Sequence, residues 1–359
     1  MKRPKRIVLM YEVSGGCNCR CVFCYNAWKM TGARRVEQLE RERALALLDR
    51  AIDETGCECI TLSGGEPLLR DDIFEIVSFI KERGVSVSLV TNGALLTGEA
   101  IDRCLSSGVD RFQITLLSDD RDQHNRISGG DVFEKVIEAI LGIKSRGGTV
   151  YTFFVGLAEN IDRFVGTLEL NALLGVKNVA LGRFVPGGAG LTGWQQHMPA
   201  PGAIDAALAA GDEVCALYGM TLSISTPILP CLNDVTKYRR IRPGFCGVGD
   251  PERSLFAIDP LGNLKVCSHS PVVLGNLLEE PFERLLRHEF LDRFIEAVPA
   301  FCRDCPDVGV CKGGCRSSAH VCYGSPDAED PYLHLWREQA IRPAVSRFGS
   351  RDEFETRGC

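Results

Sequence analysis

Short apolar runs alternate with longer amphipathic stretches over the first two thirds of the chain. The runs have the length of buried strands, and the stretches repeat apolar residues at helical spacing. The predicted strands are residues 7–13, 59–62, 85–90, 111–116, 149–155 and 178–182. The predicted helices are residues 41–53, 73–83, 99–106, 132–146, 161–174 and 208–218. This alternation predicts a parallel sheet of six βα units, as a partial barrel or as an open doubly wound sheet.

Glycines end the predicted helices, and prolines mark a change in the sequence pattern later in the chain. The expected C-caps are Gly84, Gly108, Gly147 and Gly175. Prolines interrupt any long helix from position 227 onward, and short strand-like pieces such as residues 255–258 appear there. The predicted division is a barrel-sized unit at 1–226, a small cysteine-rich domain at 227–332 and a helical tail at 333–359.

Charge and hydropathy argue against nucleic acid and membrane partners. Lys and Arg number 41 against 47 Asp and Glu, the net charge is −6, and no basic block follows the first six residues. The apolar run after that block resembles a signal peptide only as far as Glu12, and no small-residue cleavage site follows. No apolar run approaches the ~18 residues that span a bilayer. These features predict a soluble, cytoplasmic protein.

The chain contains 17 cysteines. In a chain of this length without an export signal, they indicate metal binding or catalysis rather than disulfides. Eleven of them fall into two spaced groups toward the two ends of the chain. The other six, to which we assign no role, are Cys19, Cys57, Cys59, Cys104, Cys215 and Cys359. Isolated cysteines of this kind usually behave as small buried hydrophobes.

The first cysteine group directly follows the first predicted strand. It reads Cys17-x3-Cys21-x2-Cys24, with Phe23 before the last cysteine. Three cysteines alone also suit zinc, but three thiolates on a four-iron cubane leave one iron open for another ligand. In this form the segment resembles the cluster-binding signature of radical S-adenosylmethionine (SAM) enzymes. The resemblance implies a 4Fe–4S cluster whose open iron binds the amino and carboxylate groups of SAM.

Further motifs follow in the order of that family, each after a predicted strand. The stretch Ser63-Gly64-Gly65-Glu66-Pro67 resembles the GGEP motif, which contacts the SAM amino group in the family. The alternative is a Gly-Gly turn before a helix with proline in its first turn. Paired glycines let the main chain approach a ligand closely, and a carboxylate suits an ammonium group.

The remaining motifs lie after the third, fourth and sixth strands. Asn92 belongs to a turn like the family's TNG turn, and Thr115 matches a ribose-binding serine, with Ser118 as the alternative hydroxyl. Arg126 matches groups near the SAM carboxylate, or is a solvated loop charge. Gly187 would admit the adenine close to the backbone. The residues that the resemblance assigns to SAM are Phe23, Gly64, Gly65, Glu66, Pro67, Asn92, Thr115, Ser118, Arg126 and Gly187.

The second cysteine group resembles the SPASM domain, which holds two auxiliary iron–sulfur clusters. Its motifs are Gly262-x4-Cys267 after Cys246, and Cys302-x2-Cys305-x5-Cys311-x3-Cys315. A zinc ribbon is the alternative, since CxxC pairs also suit tetrahedral zinc. By analogy, one cluster takes Cys246, Cys267 and Cys315, and the other takes Cys302, Cys305 and Cys311. The predicted fold is thus α/β, a partial (β/α)6 TIM-type barrel with a small cysteine-rich C-terminal auxiliary-cluster domain.

Each auxiliary set lacks a fourth ligand. We expect Cys231 to complete the first set, with an open iron as the alternative. We expect Cys322 to complete the second set, with Cys359 as a remoter candidate. The distinction affects function, because an open iron would bind substrate directly, whereas a fully ligated cluster would relay electrons.

The family resemblance implies that an electron from the cluster splits SAM, and that the 5'-deoxyadenosyl radical abstracts hydrogen from a substrate C–H bond. Anaerobic sulfatase-maturating enzymes carry an aspartate base after the cysteine that matches Cys267. Here Ser268 and His269 stand there, which argues against that reaction. His269, with an ordinary pKa of about 6.5, is a candidate proton acceptor or a structural residue.

SPASM proteins mostly modify peptides, so we predict crosslinking or oxidation of a ribosomally made peptide, with a reductant such as flavodoxin or ferredoxin. Because the first strand starts at Ile7, we expect a separate leader-binding protein or recognition without a leader. The alternative is a small-molecule dehydrogenase or carbon-skeleton enzyme acting on a sugar, amino acid or tetrapyrrole. An iron–sulfur electron carrier without SAM chemistry is disfavoured by the GGEP-like motif.

Overall fold

Eleven strands form one sheet within residues 3–26 and 36–348, the part of the chain that the computed structural model describes. The strands are β1 (Arg6–Ser14), β2 (Cys59–Gly64), β3 (Ser86–Thr91), β4 (Arg111–Thr115), β5 (Val150–Gly156), β6 (Asn178–Arg183), β7 (Thr221–Ile224), β8 (Ile241–Arg242), β9 (Arg253–Ile258), β10 (Asn263–Lys265) and β11 (Val273–Asn276). Their spatial order is β11-β10-β9-β1-β2-β3-β4-β5-β6-β7-β8. Neighbours from β9 through β1 to β8 are parallel, and β10 is antiparallel to both β9 and β11.

The first six strands confirm the predicted parallel βα architecture, a partial TIM-type barrel. Each lies within two residues of its predicted bounds. The sequence analysis missed β7 and β8, which continue the sheet beyond β6 and have four and two residues. Strands this short carry too few residues to display a period.

Helices separate the parallel strands, as the amphipathic stretches predict. They are α1 (Arg41–Thr55), α2 (Ile73–Glu82), α3 (Gly98–Ser107), α4 (Arg121–Ser128), α5 (Phe133–Ser145), α6 (Phe164–Leu173), α7 (Trp194–His197), α8 (Pro201–Tyr218), α9 (Phe282–Leu285), α10 (Glu289–Glu296), α11 (Val308–Cys311), α12 (Arg316–Tyr323) and α13 (Pro331–Trp336). The four predicted C-cap glycines have left-handed φ angles between 74° and 100°. That conformation strains residues with a Cβ, which explains the glycines.

The two faces of β1 meet different surroundings, because successive side chains of a strand point to opposite faces. Leu9 and Tyr11 are fully buried in the same apolar cluster as Leu47 of α1. Met10 and Glu12 lie on the other face, the inner side of the barrel, and Glu12 pairs in register with Ser63 of β2. The inner side therefore carries charged and polar groups at the carboxyl end of β1.

The cysteine-rich part of the chain joins the same sheet. Strand β9 pairs in parallel with β1, with Met10 opposite Ala257, and β10 and β11 follow as a meander. The sheet thus continues on both sides of position 226, and the division into 1–226, 227–332 and 333–359 stays a prediction. Of the proposed tail, α13 and a 3₁₀ turn at Arg337–Gln339 are helical.

None of the helices within residues 3–26 and 36–348 combines the length and apolarity needed to span a bilayer.

Candidate active site

Three cysteines of the first group line a cleft at the carboxyl ends of β1 to β4. Cys17, Cys21 and Cys24 belong to the loop that follows β1, here called the cluster loop (residues 15–26), and each is partly exposed. The cleft encloses about 740 Å³, including open solvent. It is lined by Cys17, Cys19, Cys21, Phe23, Cys24, Tyr25, Asn26, Ser63, Gly64, Gly65, Val90, Thr91, Asn92, Thr115, Leu117, His124, Ser128 and Val132.

The glycines of the GGEP-like motif hold the cluster loop in place. Gly65 N–H donates to the carbonyl of Ser14 (2.9 Å), and Glu66 N–H donates to that of Gly16 (2.7 Å). A Cβ at Gly65 would collide with the Gly16 carbonyl, so only glycine fits. These glycines therefore allow β2 to approach the cluster loop closely. Gly64 and Gly65 also line the cleft.

Glu66 joins the ends of β2 and β3. Its carboxylate is fully buried and accepts hydrogen bonds from Thr91 Oγ1 (2.7 Å) and from the N–H groups of Asn92 (2.9 Å) and Leu68 (3.3 Å). Burial raises the pKa of Glu66 to about 7, against the opposing effect of these donors. Pro67 begins a 3₁₀ turn, Pro67–Leu69, so both the functional and the turn interpretation fit. Contact of Glu66 with the SAM amino group stays a prediction.

Asn92 and Thr115 lie on the cleft, whereas Ser118 lies in a turn. Asn92 Nδ2 donates to Asn18 Oδ1 in the cluster loop (2.7 Å). Thr115 ends β4 and lines the cleft. The Ser118 hydroxyl donates to Gln123 Oε1 (2.7 Å) and accepts from Asp120 N–H (3.0 Å), so it stabilises the start of α4. The geometry favours Thr115 over Ser118 as the hydroxyl that meets a ligand.

His124 also lines the cleft, although the sequence analysis gave it no role. Its Nδ1 accepts a hydrogen bond from Leu117 N–H (3.2 Å), and burial lowers the pKa of His124 to about 4. The ring is therefore neutral near pH 7. Arg126, two residues further along α4, is exposed and is not among the residues that line the cleft. Its predicted contact with the SAM carboxylate stays a prediction.

The glycine segment after β6 packs against the end of the cluster loop. Gly190 N–H donates to the Cys24 carbonyl (3.2 Å), and a Cβ at Gly187 would lie 3.4 Å from Tyr25 Cβ. A side chain at Gly188, whose φ angle is 49°, would meet the Asn26 carbonyl. These glycines therefore allow β6 to approach the loop, and adenine binding at Gly187 stays a prediction.

The first auxiliary set brings together Cys246, Cys267 and Cys315, the three cysteines that the family resemblance implies. All three are partly buried, and burial raises the pKa of Cys315, with further increases from Cys267, Cys246 and the carboxylate of Asp330. Cys267 lies 3.0 Å from the Ser317 hydroxyl. The three thiols are thus close enough to affect one another electrostatically.

Cys231 lies with the second auxiliary set, not with the first as the sequence analysis expected. Burial raises its pKa to about 11, and the neighbouring thiol of Cys305 adds to the rise. Burial likewise raises the pKa of Cys302 to about 12, and the neighbouring thiols of Cys231 and Cys305 contribute to the increase. The pKa of Cys311 is raised by burial, by Cys231 and by Cys302. Chain distance misled the assignment, because the loop after β7 folds back onto the later cysteines.

Cys322 has other neighbours. Burial raises its pKa to about 11, Asp330 raises it further, and a hydrogen bond with Ser318 lowers it. In the described part of the chain, the second set therefore has four thiols without Cys322, and the first set has three. Cys359, the remoter candidate, lies outside the described residues.

The described thiol sets do not have the geometry of a site for a single metal ion. Among residues 3–26 and 36–348, no three His, Cys, Asp or Glu side chains converge closely enough to hold one. A cubane distributes its thiolates over four irons and does not need them to converge on one ion. Three partly exposed thiols on a cleft and two partly buried thiol sets therefore fit iron–sulfur clusters.

The cluster loop contacts the two residues that follow Cys267 of the first auxiliary set. Tyr25, next to Cys24, has its ring 4.3 Å from that of His269 and shares hydrogen bonds with Ser268 and Ser63. Burial lowers the pKa of His269 to about 4, so the ring is a weaker base than its ordinary pKa suggests. Its role as a proton acceptor stays a prediction.

A buried ion pair lies on the inner face beside these residues. Lys265 Nζ is 3.1 Å from both carboxylate oxygens of Glu12, and burial raises the pKa of Glu12 against the effect of the lysine. The sequence analysis missed this pair and Tyr25. Each looks ordinary in sequence, and 253 positions separate the two members of the pair.

Fold and site together define an α/β protein with three cysteines on a cleft at the mouth of a partial barrel and two further cysteine sets. Residues 11–170 match the model of the radical SAM superfamily, and residues 246–306 match that of SPASM, an iron–sulfur cluster-binding domain. The chain therefore contains a radical SAM domain and a SPASM domain. It therefore uses SAM, a 4Fe–4S cluster and auxiliary iron–sulfur clusters.

Three known proteins illustrate the similarity. An AdoMet-dependent heme synthase of Methanosarcina barkeri is 25% identical over 349 residues, covering 90% of this chain and 95% of that protein. A PqqA peptide cyclase of Methylocella silvestris is 25% identical over 373 residues, covering 99% and 96%. Streptococcus suis SuiB, solved with the precursor peptide SuiA, has a TM-score of 0.71 at 12% identity over 92% of this chain and 76% of that one, which shows a shared fold.

Proposed function

We propose that this enzyme modifies a ribosomally made peptide by oxidation or crosslinking. The observation that supports it is the contact between cleft and first auxiliary set, made by Tyr25 on Ser268 and His269. A substrate in the cleft then lies near a second iron–sulfur site. Because the described part of that site has three thiols, a four-iron cluster there keeps one iron for a substrate ligand such as a peptide thiol.

Different residues of the cleft bind the cluster and SAM. Cys17, Cys21 and Cys24 hold the 4Fe–4S cluster, and the backbone of Gly65 and the hydroxyl of Thr115 meet SAM. When bound and reduced, the cluster supplies the electron that splits SAM into methionine and a 5'-deoxyadenosyl radical, which abstracts a substrate hydrogen atom.

The relatives support a peptide substrate. The Methylocella silvestris protein is a cyclase of the PqqA peptide, and the SuiB structure contains the precursor peptide SuiA. In this proposal, reduced flavodoxin or ferredoxin delivers electrons, and a separate protein binds the leader of the substrate peptide. The enzyme itself places the substrate C–H bond between the cleft and the first auxiliary set.

A second candidate is a small-molecule reaction. The Methanosarcina barkeri heme synthase matches this chain at the same 25% identity as the peptide cyclase, over 90% of the chain. A tetrapyrrole or similar substrate would then occupy the same inner face beside Glu12 and Lys265. Lys265, the cation of this pair, would bind a carboxylate of such a substrate, whereas Glu12 would repel it.

The test is anaerobic turnover with SAM and reduced flavodoxin. Short cysteine- or aromatic-bearing peptides encoded beside the gene are each incubated with the reconstituted enzyme, and mass spectrometry follows the peptides. We expect one of them to lose the mass of two hydrogen atoms. The triple variant C17A/C21A/C24A should give no product, whereas C215A, at a fully buried cysteine of α8, should react normally. Conversion of a tetrapyrrole with every peptide unchanged would replace the proposal by the second candidate.

A further inference from the structure

Arg316 is a buried cation against the first auxiliary set. Its side chain is enclosed, and Nη1 donates to the carbonyls of Phe294 (2.6 Å) and Ile295 (2.8 Å). Nη2 lies 3.2 Å from both the Val248 carbonyl and Cys246 Sγ. The guanidinium carbon sits 4.7 Å from the centre of the Phe294 ring. The guanidinium is therefore fixed with one donor on a predicted cluster ligand.

In the described part of the chain, the acceptors around Arg316 are three carbonyls and the sulfur of Cys246. Its Nε is buried and finds no hydrogen-bond acceptor there. Nε shares one edge of the planar guanidinium with Nη2, the nitrogen that donates to Cys246. A buried cation is stable when an anionic group lies beside it. Ligated thiolates and cluster sulfides are anionic, so the residue fits a cluster held by Cys246, Cys267 and Cys315.

Ser317 adds a second donor on the same set. Its hydroxyl, 2% exposed, lies 3.0 Å from Cys267 Sγ. The backbone N–H groups of His269 and Ser270 also lie within hydrogen-bonding reach of the Cys267 sulfur. Cys267 thus receives donors from two segments of the chain.

The second set has a different environment. Arg342, near Cys302, is exposed on the surface, and Arg347, near Cys231, is partly exposed and forms an ion pair with Asp234 (3.7 Å). Charges at the surface are screened by water and salt, whereas a buried guanidinium acts across a medium of lower dielectric constant. The two auxiliary sites therefore differ in how strongly cationic donors act on their ligands.

We propose that Arg316, assisted by Ser317, holds the reduction potential of the cluster at the first auxiliary set above that at the second set. Hydrogen bonds and positive charge directed at ligand sulfur stabilise the reduced, more negative state of a cluster. The inference rests on the proposed ligand sets. It makes the site that touches the cleft through Tyr25 the stronger oxidant of the two, as oxidation of a substrate radical requires.

The experiment is an EPR-monitored redox titration of the reconstituted holoenzyme without substrate. Arg316→Met should lower the midpoint potential of one auxiliary cluster by an amount equivalent to about tenfold in its one-electron equilibrium, or about 59 mV. Ser317→Ala should lower the same midpoint by less. Arg342→Gln, the matched surface cation, should leave that midpoint unchanged. A C302A/C305A/C311A background, which lacks the second set, identifies the cluster that shifts.

Unchanged midpoints in Arg316→Met, at wild-type iron content, would overturn the inference. If that variant loses iron, Arg316→Lys and Ser317→Ala decide the question, and wild-type midpoints in both would reject it. Peptide modification is measured in a separate experiment. If the enzyme modifies its peptide but the midpoint potentials of the variants are unchanged, only this inference is rejected. If the midpoint potentials shift but no peptide product forms, only the proposed function is rejected.

Discussion

Two residues that directly follow predicted cysteine ligands make defined contacts at the first auxiliary set. Tyr25 follows Cys24 and contacts His269, two residues after Cys267, while Arg316 follows Cys315 and donates to Cys246 of the same set. A residue beside a ligand in the chain is held as firmly as the ligand itself. It can therefore carry a defined contact from one site to the next, although no cysteine motif reveals which residue will do so.

His124 gives the cleft a pH-dependent stability. Burial holds its folded-state pKa at about 4, below the ordinary value of about 6.5, so its contribution is complete above pH 6.5 and is lost as the pH falls toward 4. His124→Asn keeps an acceptor for Leu117 N–H without a group that titrates there. Between about pH 7.5 and about pH 5, the wild type should lose about 2 kcal/mol more stability than the variant.

Anaerobic urea unfolding at the two pH values, followed by circular dichroism, measures this difference. The pH 7.5 comparison alone gives the structural cost of the substitution, which is then subtracted. Equal losses of stability in the two proteins between the two pH values would show that His124 is not held neutral by burial.

At the scale of elements, the end of β6 is tied to the start of α13. Arg183 Nη2 donates to Asp330 Oδ2 (2.7 Å), and both side chains are fully buried. Asp330 also accepts from the N–H groups of Cys315 (2.6 Å) and Tyr332 (2.8 Å). One carboxylate thus joins a barrel strand to a ligand of the first auxiliary set.

Arg183→Met should leave Asp330 buried without its cation and destabilise the protein by about 3 to 5 kcal/mol. The matched control is Arg163→Met, because Arg163 pairs with Asp119 at a partly exposed site, and its loss should cost less than about 1 kcal/mol. Anaerobic denaturant unfolding measures both values. Adding Asp330→Asn to Arg183→Met should recover part of the loss, and equal costs for the two single variants would contradict the account.

Helices and strands could be predicted where the local sequence pattern determines them. Contacts between residues far apart in the chain could not be predicted. The strands β1 to β6 carry enough apolar residues to be recognised, and the glycines after them follow from backbone sterics. The pairing of β9 with β1 joins residues about 250 positions apart, and nothing local encodes it. Cys231 was misplaced for the same reason, since its neighbours are fixed by a fold-back after β7. Cys17, Cys21 and Cys24 share one loop, and their convergence was predictable.

At the scale of the whole molecule, one sheet joins the cluster loop to the first auxiliary set. The cluster loop follows β1 and Cys267 follows β10, and β9 lies between these two strands in the sheet. The relative position of these sites is then set by strand pairing rather than by a flexible linker. Electron transfer between them would not require domain movement.

This arrangement predicts the iron content of the chain and its distribution. The reconstituted wild type should contain about twelve irons, for three 4Fe–4S clusters, and C17A/C21A/C24A and C302A/C305A/C311A should each contain about eight. The first variant should also lose SAM cleavage and keep the absorption of the auxiliary clusters. Iron and zinc are measured by mass spectrometry, and SAM cleavage by 5'-deoxyadenosine release.

Two single substitutions then test the place of Cys231. Cys231→Ala removes a thiol that lies beside Cys302, Cys305 and Cys311, so it should lower iron content or alter the EPR signal of the second set. Cys322→Ala removes a comparably half-buried thiol whose neighbours are Ser318 and Asp330, and it should leave that signal unchanged. The opposite result would move the fourth ligand to Cys322. Four irons accompanied by zinc in the wild type would replace the auxiliary clusters by a zinc site.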